Sequence, residues 1–138
     1  MKIFLDTSAL FKKYVTEYGS EKIDALLNEA NDIIVAPITK IELFSALDRR
    51  LQEKTLSHSQ KRTVEQEINK DYPFFNVIIF NEALESKAIQ FAQKYHLRAF
   101  DSLQLSSGCL SESDLFITSD KLLFEKAKLE LKNVEFIG

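Results

Sequence analysis

The sequence predicts a three-layer α/β/α domain of Rossmann-like type, with helices on both faces of a parallel sheet. Five short runs rich in β-branched and aromatic residues are spread along the chain, and four of them are almost continuously apolar. Runs of this kind are typical of strands buried on both faces. The segments between the runs carry apolar residues at helical spacing instead. Strands that alternate with helices form parallel βαβ units with right-handed crossovers, which gives the three layers.

The elements follow one another in a regular order. The predicted strands are Ile3-Phe4-Leu5, Ile33-Ile34-Val35, Val77-Ile78-Ile79-Phe80, Leu115-Phe116-Ile117 and Val134-Glu135-Phe136-Ile137. The predicted helices cover residues 23–30, about 41–54, a polar segment between Ser57 and Pro73, residues 84–95, a short stretch of about 102–108, and residues 122–131. The first of these helices shows i, i+3, i+4, i+7 apolar spacing, and the polar segment predicts a solvated helix.

Size and composition indicate one globular domain over residues 1–138, of which 45% are hydrophobic and 28% charged. A membrane span would need about 18 or more consecutive apolar residues, and no such stretch is present. The single Cys109 excludes an internal disulfide, so a reducing cytoplasm is the expected location. The net charge of −3 argues against a broadly basic nucleic-acid binder. It leaves room for a nuclease, because a bound metal ion would neutralise acidic charge locally.

Four acidic residues are predicted to meet at the carboxyl edge of the sheet. Asp6 directly follows the first strand, and Asp120 follows the fourth strand by two residues. Glu42 lies in the first turn of the helix after the second strand, and Asp101 opens the helix that leads into the fourth strand. Open α/β sheets bind ligands at this edge. Because crowded carboxylates repel unless they are protonated or hold a cation, the four positions predict a divalent metal site.

Each of these acids also has a purely local interpretation. Asp6, Asp101 and Asp120 all fit the N-cap position of a helix, where an Asp contributes about 1 kcal/mol. Thr39 and Glu42 fit the S/T-x-x-E pattern of a capping box. Taken singly, each acid fits helix capping better than catalysis. Convergence of all four on one sheet edge favours the metal site.

Other acidic or cofactor sites require patterns that this sequence lacks. A phosphatase of the haloacid dehalogenase type needs a second Asp where Ser8 stands, and an integrin-type metal site needs Ser where Leu10 stands. A receiver domain needs an Asp after the third strand, where Asn81 stands. Neither glycine-rich nucleotide motif is present. His58 and His96 are isolated, so no zinc site is predicted.

Four motifs resemble those of the PIN domain in their order and separation. They are FLDTSAL at residues 4–10, TKIEL at 39–43, DSLQL at 101–105 and TSD at 118–120. The resemblance spans nearly the whole chain. It implies a five-stranded parallel sheet in the order 3-2-1-4-5 and a Mg²⁺- or Mn²⁺-dependent endoribonuclease.

The length and the lack of appended domains are similar to the VapC-type toxins of prokaryotic toxin–antitoxin pairs. This likeness implies an RNA substrate, a cognate antitoxin as partner and a homodimer, for which the helices of residues 20–54 are a candidate surface. Two alternatives stay open. One is a housekeeping PIN nuclease that acts in RNA processing or on structured DNA, and the other is a non-catalytic PIN module that binds RNA or protein.

The resemblance and metal chemistry together suggest roles for the acids. Mg²⁺ prefers oxygen ligands and keeps several waters, so one or two direct carboxylates suffice. Asp6 and Asp101 are expected to hold the central ion, with Glu42 and Asp120 as further ligands or water-mediated supports.

Neighbouring polar residues receive weaker assignments. Ser8 is expected either to orient a carboxylate or the attacking water, or to serve only the start of the helix, and Thr7 is expected to cap that helix. Gln104 departs from the small or apolar residues common at this position in the family. Basic residues near the motifs are candidates for phosphate contacts: Lys12, Lys13, Lys40, Arg49, Arg50 and Lys121.

Overall fold

A computed structural model describes residues 1–138 as a five-stranded parallel sheet in the order β3-β2-β1-β4-β5. Both the predicted fold class and the strand order are therefore confirmed. The strands are β1 (Lys2–Leu5), β2 (Asp32–Val35), β3 (Asn76–Val77), β4 (Leu115–Thr118) and β5 (Val134–Phe136). Strand β1 takes the central place, where it has a strand on each side.

Seven helices connect the strands. They are α1 (Thr7–Tyr14), α2 (Ser20–Glu29), α3 (Thr39–Gln52), α4 (His58–Asp71), α5 (Glu82–Tyr95), α6 (Ala99–Leu110) and α7 (Lys121–Glu130). The polar segment does form a helix, α4, whose start is fixed by a capping box between Ser57 and Gln60. The short helix predicted over residues 102–108 is longer than expected at both ends. None of the seven has the length and apolar character needed to cross a membrane.

The third predicted strand is wrong in extent. Only Asn76 and Val77 pair with β2, and one further backbone bond from Ile78 to Val35 ends the contact. Ile79 is 76% exposed and Phe80 is 53% exposed, so the run is not buried on two faces. As an edge strand it has a neighbour on one side only. An apolar run by itself does not distinguish a central strand from a short edge strand.

The core lies in two layers, one on each face of the sheet. Ile3 and Leu5 of β1 point to the face covered by α1, α2, α3 and α4, whereas Phe4 points to the face covered by α5, α6 and α7. This alternation is the period-2 geometry of a strand. The rings of Phe4 and Phe116 stack with centroids 5.1 Å apart. The three-layer architecture follows directly from this division.

Gly108 of α6 lies against that aromatic stack. A Cβ at this position would stand 2.4 Å from two carbons of the Phe116 ring and 3.3 Å from Phe4 Cδ1. We expect Gly108→Ala to lower the free energy of unfolding by about 1–3 kcal/mol, because overpacking outweighs the gain in helix propensity. Urea denaturation measures the change. The control is Ser86→Ala at an exposed position of α5, which should be nearly neutral. Unchanged stability of Gly108→Ala would contradict the tight packing.

Candidate active site

All four acidic residues line one open cavity of about 420 Å³ at the carboxyl edge of the sheet. Asp6 follows β1 and Asp120 lies between β4 and α7. Glu42 sits in the first turn of α3 and Asp101 in the first turn of α6. Strand direction brings the four together although up to 114 residues separate them in the sequence (120 − 6).

Asp6 is held by several donors at once. It caps α1 by accepting the backbone N–H of Ala9 at 2.9 Å, as the local interpretation predicts. The hydroxyl of Ser8 donates to both carboxylate oxygens, at 2.8 and 2.9 Å, and that of Thr118 donates at 2.5 Å. The side chain is 3% exposed, and burial raises its pKa from 3.8 to about 6 in spite of these donors. Asp120 adds a smaller repulsion in the same direction.

The Ser8 hydroxyl is thus bound to the Asp6 carboxylate, and its role in orienting that group for catalysis stays a prediction. Its oxygen also accepts the backbone N–H of Ser119 at 2.9 Å. This bond joins the start of α1 to the loop between β4 and α7.

Asp101 has no capping role, contrary to its local interpretation. Helix α6 begins earlier than predicted, at Ala99, so Arg98 is the N-cap and Asp101 is the third helical residue. Its carboxylate accepts no hydrogen bond from the protein. Burial raises its pKa, and the negative charges of Asp120 and Glu42 raise it further. The one local role left for this carboxylate is the modest favourable interaction of an acid with the N-terminal end of the α6 dipole.

Asp120 combines a local role with a free oxygen. Its Oδ1 caps α7 by accepting the backbone N–H of Leu123 at 3.0 Å. Its other oxygen has no donor in the protein. The N-cap interpretation is right for Asp120, and one oxygen remains for the cavity.

The capping box predicted for Glu42 does not form. Thr39 is the first helical residue of α3, and the N-cap is Ile38, which has no capping side chain. Glu42 Oε1 accepts instead from Thr7 Oγ1 at 2.6 Å and from Gln104 Nε2 at 2.8 Å. The prediction that Thr7 caps α1 is wrong, because Asp6 takes that position. Tertiary contacts have replaced both local ones.

Gln104 is, with Thr118, one of the site residues that the sequence did not predict. It is 3% exposed, and its Nε2 lies within hydrogen-bond distance of Thr7, Thr39 and Glu42. Its position three residues after Asp101 could have predicted that it belongs to the site. Residues three apart on a helix share a face, so Gln104 lies on the same side of α6 as Asp101.

The carboxylate oxygens of the site suit a divalent cation that prefers oxygen ligands. The free carboxylate of Asp101, one oxygen of Asp120 and Oε2 of Glu42 have no protein donors. No three acidic, histidine or cysteine side chains converge tightly enough to enclose an ion by themselves. Mg²⁺ needs no such cage, because it binds through one or two carboxylates and keeps its waters.

Because the Asp6 carboxylate is buried, we expect a neutral side chain at this position to stabilise the metal-free protein. The folded pKa lies above the unfolded value, so this group favours folding when protonated. That contribution is complete below pH 3.8 and is lost as the pH rises towards 6. The difference corresponds to about 3 kcal/mol at 1.36 kcal/mol per pKa unit. We expect Asp6→Asn to raise the free energy of unfolding by about 1–3 kcal/mol at neutral pH with chelator present.

Urea denaturation at neutral pH and near pH 4 measures this effect. The gain should shrink in acid, where both side chains are neutral. Asp48→Asn on the exposed side of α3 is the control and should change little. A loss of stability at both pH values would show that the carboxylate is needed for folding.

Comparisons with known proteins agree with the fold. The model of the PIN domain family matches residues 3–129. No curated protein sequence matches. A toxin–antitoxin complex from Klebsiella pneumoniae aligns with a TM-score of 0.70 and 17% identity, over 99% of this chain and 98% of that one. FitAcB from Neisseria gonorrhoeae gives a TM-score of 0.72 and 19% identity, over 96% of this chain and 95% of that one.

A third structure, VapBC2 from Rickettsia felis bound to a promoter DNA fragment, gives a TM-score of 0.70 and 14% identity over 100% of both chains. Identities this low establish a shared fold. The family match carries the assignment, because it begins in the central strand β1, includes all four acidic positions and ends inside α7. The chain therefore belongs to the PIN domain family.

Proposed function

We propose that this protein is a divalent-metal-dependent endoribonuclease and the toxin of a toxin–antitoxin pair. The observation that carries the proposal is the cavity with four acids, in which Asp101 has no structural partner. Nuclease activity and metal dependence are general in the PIN domain family, to which the chain belongs. A module that only binds RNA or protein would have no need for four crowded, mutually repelling carboxylates.

The proposed ligands differ in how they are held. Asp6 and Asp101 would hold the ion, and Glu42 and Asp120 would support it directly or through water. When bound, Mg²⁺ or Mn²⁺ supplies positive charge to the phosphate and makes bound water more acidic. Ser8 and Thr118 fix the Asp6 carboxylate, which limits the motion of the group nearest the sheet.

Hydrolysis at this site would proceed by in-line attack of water on phosphorus. The new P–O bond forms as the bond to the ribose 3′ oxygen breaks, and that oxygen takes a proton. The products are a 5′-phosphate and a 3′-hydroxyl. The carboxylates would hold the water and the ion in place, so positioning and electrostatics supply most of the rate gain.

The proposed partners are an antitoxin and a second copy of this chain. Two of the solved structures that resemble it are a toxin–antitoxin complex and VapBC2. For the homodimer, the predicted region 20–54 contributes Ile41, which is 67% exposed. Phe74 at 84% and Ile79 at 76% are exposed beside β3, so this edge is a second surface to include in mutational tests. A cytoplasmic location is part of the same proposal.

The test compares RNA ends after brief induction of the protein and of its Asp6→Asn variant. We expect new 5′-phosphate ends at defined positions with the wild-type protein only. Purified protein should reproduce these cuts in Mn²⁺ and lose them in chelator. Wild-type-level cleavage by Asp6→Asn would reject the metal site. Absence of Mn²⁺-dependent cleavage across a broad RNA panel would instead favour a non-catalytic module.

A further inference from the structure

Helix α3 runs along one wall of the cavity and joins two ends of different charge. Glu42, Ala46, Arg49, Arg50 and Glu53 all line the cavity, at helical spacings that place them on one face. At 1.5 Å per residue, Arg49 lies about 10 Å along the helix from Glu42. The cavity is therefore long enough to hold more than the reacting phosphate.

The far end of the cavity is basic although the protein as a whole is acidic. It contains Lys12, Arg49 and Arg50 against the two acids Glu17 and Glu53. The near end contains four acids and no basic residue. Two cationic groups share one carboxylate, because Glu17 pairs with Lys12 at 3.3 Å and with Arg50 at 2.9 Å. A net positive charge remains at the far end.

Two of the three basic groups are fixed in place. The side chain of Lys12 is only 8% exposed, and its Nζ also donates to the carbonyl of Tyr18 at 2.5 Å. The guanidinium of Arg50 lies over the ring of Phe11, 5.4 Å from its centroid. Groups held this firmly keep positive charge at the far end, although both are already paired with Glu17.

Arg49 differs because it has no acidic partner. It is exposed, and its one polar contact is with Ser45 Oγ, at 3.5 Å. Its planar fork of donors can grip a phosphate with two parallel hydrogen bonds. Among the basic residues of the cavity, it is the one free to bind a ligand without breaking an ion pair.

We propose that the far end, formed by Lys12, Arg49 and Arg50, is a subsite for a second phosphate of the RNA strand, with Arg49 as its main contact. The inference rests on the proposed nuclease function and deepens it. Along the axis of a stacked helix, one strand presents a phosphate about every 3.4 Å, so about 10 Å corresponds to roughly three nucleotide steps; an extended single strand covers the same distance in fewer steps. The substrate is then a polynucleotide with an intact phosphate at that distance from the cleaved bond, and dinucleotides are poor substrates.

The first test measures binding of a short fluorescent single-stranded RNA to the cleavage-disabled Asp6→Asn protein in Mg²⁺. Adding Arg49→Ala should weaken binding by roughly tenfold, as for loss of a charge-assisted hydrogen bond. It should also reduce the slope of log K against log salt by about 0.7, the value for one phosphate contact on a single strand. Arg62→Ala, which removes an exposed arginine of α4 outside the cavity, is the matched control and should change neither.

The second test locates the phosphate. Single neutral methylphosphonate linkages are placed along a cleaved RNA. For the wild-type enzyme we expect kcat/KM to fall roughly tenfold when the neutral linkage lies about two or three nucleotides from the cut. Arg49→Ala should be insensitive at that position and should raise KM more than it lowers kcat.

The two tests separate this inference from the proposed function. If the wild-type protein cleaves RNA but Arg49→Ala behaves like Arg62→Ala, the subsite is rejected and the nuclease stands. Equal sensitivity of both enzymes to the neutral linkage would likewise reject the subsite. If no RNA is cleaved by the wild-type protein, the proposed function itself fails.

Discussion

Asp101→Asn should reduce divalent-dependent RNA cleavage by at least about 10²–10³-fold, the loss typical when an electrostatic group of an active site is removed. The Asp101 carboxylate makes no hydrogen bond within the protein, so the change removes negative charge from the cavity and little else. Its raised pKa shows that ionisation is opposed by burial and by Asp120 and Glu42. Stability should therefore stay level or rise slightly while activity is lost.

This combination of effects distinguishes a ligand from a structural residue. Initial rates of cleavage in Mn²⁺ give the activity, titration calorimetry gives Mn²⁺ affinity, and thermal denaturation reports the fold. The control is Asp48→Asn, which makes the same change from carboxylate to carboxamide at an exposed position of α3 and should keep full activity. If Asp101→Asn retained normal rates and normal Mn²⁺ affinity, Asp101 would have no place in the site.

Gln104→Met should weaken Mn²⁺ binding or cleavage by about 10–100-fold, the range expected when a residue that orients a metal ligand is removed. The amide of Gln104 donates to the same oxygen of Glu42 that Thr7 contacts. Methionine has a similar length but cannot donate, so Glu42 would lose one of its two donors. Thr39, which is fully buried, would also lose a partner, and we expect a stability cost of about 1–3 kcal/mol.

A positioning role can be told apart from a purely structural one by the metal dependence. The midpoint of a Mn²⁺ titration should shift to higher concentration in Gln104→Met. Thr7→Val removes the other donor, and the effects of the two changes should be non-additive because both act on Glu42. Gln93→Met, at an exposed position of α5, is the control. An unchanged Mn²⁺ midpoint with reduced stability would make Gln104 a structural amide only.

Much of the fold could be predicted because it depends on patterns that are local in the sequence. The apolar runs locate β1, β2, β4 and β5, and the directions of the strands and of the helices between them place the four acids at one edge. The run from Val77 to Phe80 is misleading, since its side chains are mostly exposed beside an edge strand. The sequence of this run shows that its residues are apolar, but not whether another element of the fold covers them.

The hydrogen bonds of the site are less predictable, because they join distant segments. Thr39 and Glu42 have the spacing of a capping box, but Glu42 is bound by residues 35 and 62 positions away. Asp101 resembles an N-cap only if α6 begins at Ser102, and sequence patterns leave helix ends uncertain by one or two residues or more. Glu42 forms no capping box because long-range contacts bind its side chain instead. Asp101 is not an N-cap because α6 begins two residues before it.

One stripe of α6 joins the core to the cavity. Asp101, Gln104 and Gly108 recur at intervals of three and four residues, so they lie along one side of the helix. At the core end, the bare glycine sets how closely α6 can approach the Phe4–Phe116 stack, and at the other end the same helix sets the height of the Asp101 carboxylate. Because the helix is rigid, the depth to which Gly108 packs fixes the position of Asp101 in the cavity. A substitution at Gly108 can therefore lower the rate of cleavage by shifting Asp101, which lies about two helical turns away, without changing any polar residue.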